Sequence, residues 1–380
     1  VSDLAVYIHW PYCARICPYC DFNVVRDRGR EDEARALAAA IVRDLEGQAA
    51  RAGPRRLVSI FFGGGTPSLM PPAAAREIID TARSVFDPAP DLEITLEANP
   101  TDAESAGFEA FAEAGVNRLS LGVQSLDDDA LEFLGRNHSA GEARRAAEIA
   151  ARVFPRLSID LIYARPGQTP DAWARELTDA LTLGAEHVSP YQLTIEAGTA
   201  FDRAVARGAF TPPDEDLGAA LFETTQEVLS AAGFEAYEVS NHARGEAGRS
   251  RHNLAIWRGA DYLGAGPGAH GRLTLDGART ATRTATRIGD YVARVEANGV
   301  GFDEIEALTP REAAEERVML GLRILEGVPL SMLGPLGLQA NSDPVAALVD
   351  AGAIEIDDGR LRATSAGRLV LDRVIRKLLA

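Results

Sequence analysis

Residues 4–23 read LAVYIHWPYCARICPYCDFN, and they hold every cysteine of the 380-residue chain, Cys13, Cys17 and Cys20. The first seven residues, LAVYIHW, form an apolar β-like run, and the thiols follow directly at the spacing C-x3-C-x2-C. Three cysteines cannot all pair as disulfides, which favours metal or redox chemistry over a structural framework. Structural zinc takes four ligands; there is no fourth cysteine, and His9, four residues before Cys13, could complete a Cys3His site. The other reading is an iron–sulfur cluster held by the thiolates of Cys13, Cys17 and Cys20, with one iron left open to another ligand.

Beyond this segment, β-like runs alternate with amphipathic helical stretches up to about residue 195. After LAVYIHW come LVSIFFGG (57–64), LEITLEAN (92–99), RLSLGVQ (118–124), RLSIDLIYA (156–164) and HVSPYQLT (187–194). Stretches such as EDEARALAAAIVRDLEG and TPDAWARELTDALTLG lie between them, opening on capping residues and closing at glycine. Repeated β-then-α units predict an α/β fold with a parallel sheet and crossover helices, here a partial TIM-like (β/α)6 barrel. Such barrels carry their chemistry at the C-terminal strand ends. Those ends are the cysteine loop, GGGTP (63–67), Glu97, Gln124 and Asp160, which should converge on one mouth. Glycines at a strand end also let backbone approach a ligand closely.

Three regions are predicted: a barrel core over 1–200, an extension over 201–304 and a C-terminal domain over 305–380. In the extension, EDLGAALFETTQEVLSAAG (215–233) reads as a helix and FEAYEVSNHA (234–243) as a strand. The glycine-rich RHNLAIWRGADYLGAGPGAHG (251–271) reads as loop. The C-terminal order is helix, helix, hairpin turning at Asp358-Gly359, then helix, a small α+β winged-helix-like module.

A formal net charge of −17 argues against nucleic acid as the main partner, although RVIRKLL (373–379) is locally basic. No apolar run is long enough to span a bilayer, so direct membrane insertion is not expected. The first residues do not read as a signal peptide, and the expected location is cytoplasmic, where thiols stay reduced.

The C-x3-C-x2-C loop after a first barrel strand, with GGGTP at the second strand end, resembles the radical S-adenosylmethionine (SAM) superfamily. The resemblance implies that Cys13, Cys17 and Cys20 ligate a [4Fe-4S] cluster whose open iron is chelated by SAM. The ordered motifs YIHWPYC, GGGTPS, LEANP, LGVQS, LGRNH and IDLIYARPGQT are similar to the oxygen-independent coproporphyrinogen III oxidase group. Those oxidases carry a further cysteine two positions after the third cluster ligand, where this chain has Phe22. That departure, with CDFN and a later HN…W segment, resembles the heme-chaperone branch of the group. Matching positions imply that Tyr7, Gly63, Gly64, Gly65, Thr66, Glu97, Gln124, Arg136 and Asp160 contact SAM, Arg136 through a bidentate pair with a carboxylate, and Thr194 matches more weakly. The segment HNLAIW implies heme contact by His252, Asn253 and Trp257, with Ile256 where the family has tyrosine. His252 is the first-choice axial ligand, ahead of His270 and His242. The expected partners are heme, heme-accepting proteins and a second copy of the chain in a homodimer. The alternative is a radical SAM enzyme acting on a porphyrin, as an oxidase or a methyltransferase.

Overall fold

The computed structural model describes residues 2–275 and 277–380. Six strands lie side by side and parallel: β1 (Asp3–Trp10), β2 (Arg56–Gly64), β3 (Asp87–Ala98), β4 (Arg118–Gln124), β5 (Leu157–Tyr163) and β6 (His187–Gln192). Each is followed by helical structure, and the set forms the wall of the partial barrel. Leu4, Val6 and Ile8 of β1 are fully buried, and so is Ala5 on the opposite face. A strand covered on both faces is central in a parallel sheet, which is why this run shows no polar alternation. The helix α1 (Glu31–Ala52) covers the outer face, packed against the helix Pro72–Val85. Side-chain caps fix the helix starts: Ser139 and Glu142 form a capping box, and Thr169 caps Pro170–Ala180.

The sheet extends beyond these six strands. On the far side of β1 runs a further parallel strand, β7 (Asp261–Ala265), followed by the antiparallel β8 (His270–Leu275), β9 (Ala278–Thr284) and β10 (Phe302–Ala307). The segment expected as loop over 251–271 is therefore the helix α3 (Arg251–Trp257), then β7 and the start of β8. Its glycines serve close packing instead. Gly266 has φ of +103°, and a Cβ there would stand 2.2 Å from the carbonyl oxygen of His9. The expected strand over 234–243 is also different. It is two short pieces, Glu235–Ala236 and His242–Ala243, paired antiparallel and lying beside β6. Between them the chain turns where the Ser240 amide donates to Glu238. The helix α2 (Glu215–Ala231) precedes them and starts at an Asp214 cap.

The C-terminal domain has its own core, centred on Val318, Leu322, Val345, Leu361 and Leu371. Helices Pro310–Gly321 and Asp343–Asp350 lead to the hairpin Ile354–Asp357 and Arg360–Ala363, whose turn residues Asp358 and Gly359 both have positive φ. The final helix α4 (Leu371–Leu379) closes the winged-helix-like unit. Among the described residues no helix is long and apolar enough to cross a membrane.

Candidate functional site

A cavity of about 570 Å³ opens at the C-terminal ends of β1–β6. All three thiols face it. The loop that carries them is tied down on several sides: the Cys13 carbonyl accepts from Asp27 N at 2.8 Å, and the Pro18 carbonyl accepts from Phe201 N at 2.9 Å. The Asn23 side chain donates to the carbonyls of Pro267 and Thr286, both at 2.9 Å. Between these anchors Phe22 projects outward, 66% exposed, on the rim of the cavity.

His9 does not face the thiols. Its Nε2 lies 2.8 Å from the Asn23 carbonyl, which can only accept, so Nε2 carries the proton and Nδ1 accepts from the Tyr7 hydroxyl at 3.0 Å. Both ring nitrogens are engaged, and a Cys3His zinc site is not formed. Among the described residues no three His, Cys, Asp or Glu side chains are placed to hold a single metal ion. Tyr7 itself sits behind the strand end, where its ring lies 2.9 Å from the site a Cβ on Gly63 would occupy. Gly64 and Gly65 line the cavity. Gly64 has φ of +109°, and a Cβ there would stand 2.5 Å from the His9 ring, so the glycines seat the cysteine loop as well as clearing the cavity.

The polar lining follows the strand period of two. Arg118, Ser120, Gly122 and Gln124 of β4 all reach the cavity, as do Asp160 of β5 and His187, Ser189 and Tyr191 of β6. Glu97, from the end of β3, is pushed up to about 8 by burial and by the neighbouring Asp160. Asp160 is also raised, by burial, although Ser120 donates to it at 2.9 Å. The nearby cation is Arg118, itself buried and shared with Glu93. These carboxylates share the cavity with Arg15, Arg118 and Arg136, and burial still holds both of them above the ordinary carboxylate range. Gln124 adds a second sign of a missing ligand. It holds φ of +64°, uncommon for a residue with a side chain, and its Oε1 has no hydrogen-bond partner.

Arg136 also lines the cavity, but its guanidinium is turned toward the protein. It donates to Asn99 Oδ1, to the Gly122 carbonyl at 3.1 Å and to Cys17 Sγ at 3.4 Å. These contacts brace the β3 and β4 ends and the cysteine loop. Thr66 accepts from Asn99 Nδ2 at 3.1 Å, and Thr194 lies on the same lining. Arg118 escaped the sequence reading because an arginine opening a strand looks like a surface residue. The signal was the alternation Arg118, Ser120, Gly122, Gln124.

The HN…W residues part company on α3. Asn253 lines the cavity, whereas His252 and Trp257 do not. His252 is 4% exposed, stacked on Phe61 at 4.8 Å with Nδ1 3.0 Å from Ser59 Oγ. Trp257 packs on the outer side with Tyr237, Leu254 and Ile324, under the Arg323 guanidinium. A macrocycle reaches the His252 ring only if α3 moves.

The model of the radical SAM superfamily matches residues 7–180, and that of the HemN C-terminal domain matches residues 308–370. Among curated proteins, the chain is 40% identical to the mitochondrial radical S-adenosyl methionine domain-containing protein 1 of Bos taurus, over 99% of this chain and 87% of that one. It is 37% identical to the heme chaperone HemW of Mycobacterium tuberculosis, over 100% of this chain and 95% of the relative. Among solved structures, that of coproporphyrinogen III oxidase (HemN) from Escherichia coli superimposes with a TM-score of 0.81 at 21% identity, covering 99% of this chain and 90% of that one. This last likeness supports the fold: a partial barrel with a C-terminal domain.

Proposed function

The chain belongs to the radical SAM superfamily, in the group that includes the HemW heme chaperones, and from that premise we propose that it is a heme chaperone, holding a [4Fe-4S] cluster and SAM at the barrel mouth and passing heme to acceptor proteins. The observation that carries the reading is the convergence of three thiols and two buried carboxylates on one cavity.

The donor set fits a cluster. Burial pushes the Cys13 thiol up to about 11, and metal charge beside it would favour the thiolate that a cluster needs. Cys13, Cys17 and Cys20 would hold the cluster, which in this superfamily supplies the electron that cleaves the SAM sulfonium. The protein's own residues bind and orient. Glu97 and Asp160 supply negative charge for a cationic ligand. Gln124 offers an unpartnered amide oxygen, and Thr66, Gly64 and Gly65 form the adjoining wall. Arg136 holds Cys17 through a charge-assisted contact and carries positive charge next to the cluster position.

Phe22 supports delivery over oxidation, since the position where an oxidase places its extra cysteine is an exposed phenyl ring. Three cysteines that form no disulfide suit a reducing compartment, and the cytoplasm is the proposed location. Anaerobic reconstitution followed by titration with SAM and heme on one sample tests the reading. Saturable binding of both, with no conversion of coproporphyrinogen III to protoporphyrinogen, is expected; turnover of that substrate would overturn it in favour of the oxidase.

A further inference from the structure

A second cavity, of about 1480 Å³, lies away from the barrel mouth, between α2, the Val239–His242 segment and α4 of the C-terminal domain. It has more than twice the volume of the mouth, and its walls are predominantly cationic where those of the mouth are mixed in charge. On a chain of net charge −17 it gathers Arg323, Arg368, Arg373, Arg376 and Lys377, against Glu215 and Asp372 alone among the lining acids. Arg368 is spent on the Glu238 carbonyl and Arg323 faces Asp372. The exposed Arg373, Arg376 and Lys377 have no carboxylate partner among the described residues. Between the cations lie apolar surfaces, with Leu369 and Val370 left 45% and 47% exposed and Phe222 facing them from α2.

His242 sits at the floor of this cleft, 2% exposed. Its Nδ1 has no hydrogen-bond partner, and its Nε2 meets only the Gln226 side chain, at 3.2 Å. Burial, aided by Arg368, lowers its pKa to about 4, so the ring is neutral near pH 7; Nδ1 is enclosed by protein, and a metal in the cleft reaches it only if the ring turns outward.

A ligand complementary to these walls combines an apolar body with anionic groups. We infer that the cleft is the heme site, with the macrocycle against Phe222, Leu369 and Val370, the propionates on Arg373, Arg376 and Lys377, and His242 as axial ligand. The inference rests on the heme-chaperone reading and gives it a location. The mouth cavity has less room for the same ligand: its volume matches one small ligand rather than SAM and a macrocycle together.

The test uses the full chain, cluster-reconstituted, titrated with hemin and separately with iron-free protoporphyrin IX. Arg376→Glu/Lys377→Glu should weaken both porphyrins at least about tenfold, the loss expected for removing two charge-assisted contacts. His242→Ala, and the gentler His242→Gln, should alter the Soret spectrum of bound hemin while leaving iron-free binding within about twofold, since only the metal bond is removed. Cluster absorbance and SAM affinity should be unchanged in all three variants, which separates a local effect from misfolding. Unchanged hemin affinity and spectrum in these variants, or loss of hemin in His252→Ala alone, would overturn the inference, and the cations would then read as a docking face for an acidic protein segment. Failure of the unaltered protein to bind hemin overturns the chaperone reading instead. In that event charge-sensitive binding of iron-free porphyrin still supports the cleft, and its absence overturns it.

Discussion

At the scale of single residues, the mouth is built from groups that are incomplete by themselves. Glu97 is pushed up to about 8, so it is largely neutral below that pH and charged above it. A cationic ligand prefers the charged form. SAM affinity should therefore fall as pH drops below about 8, with a limiting slope near tenfold per pH unit for one linked proton. Glu97→Gln should weaken SAM binding at least about tenfold and flatten that pH profile; an unchanged profile would remove Glu97 from the ligand's surroundings. Cys17→Ser removes both a thiolate and the contact of Arg136, and should abolish the [4Fe-4S] absorbance after reconstitution. A full cluster spectrum in that variant would show the ligand assignment to be wrong. Gly64→Ala forces a Cβ into the His9 ring at a positive φ, and should lower cluster occupancy by displacing the loop; iron and sulfide analysis reads the result.

At the scale of elements, α3 shows how a segment expected as loop is a helix that splits a linear motif between different surroundings. Successive helix residues point about 100° apart, so Asn253 turns to the mouth while His252 turns to Ser59 and Phe61. Trp257, five residues on, faces the C-terminal side with Ile324. In linear sequence the three look like one recognition surface. The start of α3 is fixed by Glu93, whose buried carboxylate accepts from the amides of Arg251 and His252 at 3.0 Å and pairs with Arg156 at 2.5 Å. Burial alone would raise its pKa, but Arg118, Arg156 and the two amides pull it below the ordinary value of 4.5. Its stabilising contribution is thus present above that pH and lost as pH falls through the lowered value. Glu93→Gln should cost about 3 kcal/mol in denaturant unfolding near pH 7, because it strands a buried arginine charge, and the cost should shrink toward acid pH. A loss of the same size at all pH values would contradict the assignment. The six barrel strands were legible because burial on both faces or on alternate residues leaves a pattern. The helix–strand unit at 251–265 was not, since its glycines answer to the proximity of β1, which only the folded chain reveals.

At the scale of the whole molecule, the acidic chain segregates its charge. Carboxylates and arginines line the barrel mouth together, and unpaired cations gather on α4, the locally basic RVIRKLL segment of the sequence. The two regions lie at different cavities, and the cationic α4 face suits a dianionic macrocycle. Occupancy of one should leave the affinity of the other within about twofold, since unequal affinities would require a coupling free energy between the sites; isothermal titration of SAM with and without bound heme measures it. The sequence made the mouth visible through strand ends, but the cleft arises from packing between segments more than a hundred residues apart, and no local spacing announces it. The central claim is delivery of heme. It is tested most directly by loading the cluster-reconstituted protein with heme, mixing it anaerobically with an apo heme protein separable by size, and following the Soret band in each. The account predicts a saturable complex whose heme passes to the acceptor; a protein that binds no heme, or never releases it to an acceptor, would contradict it.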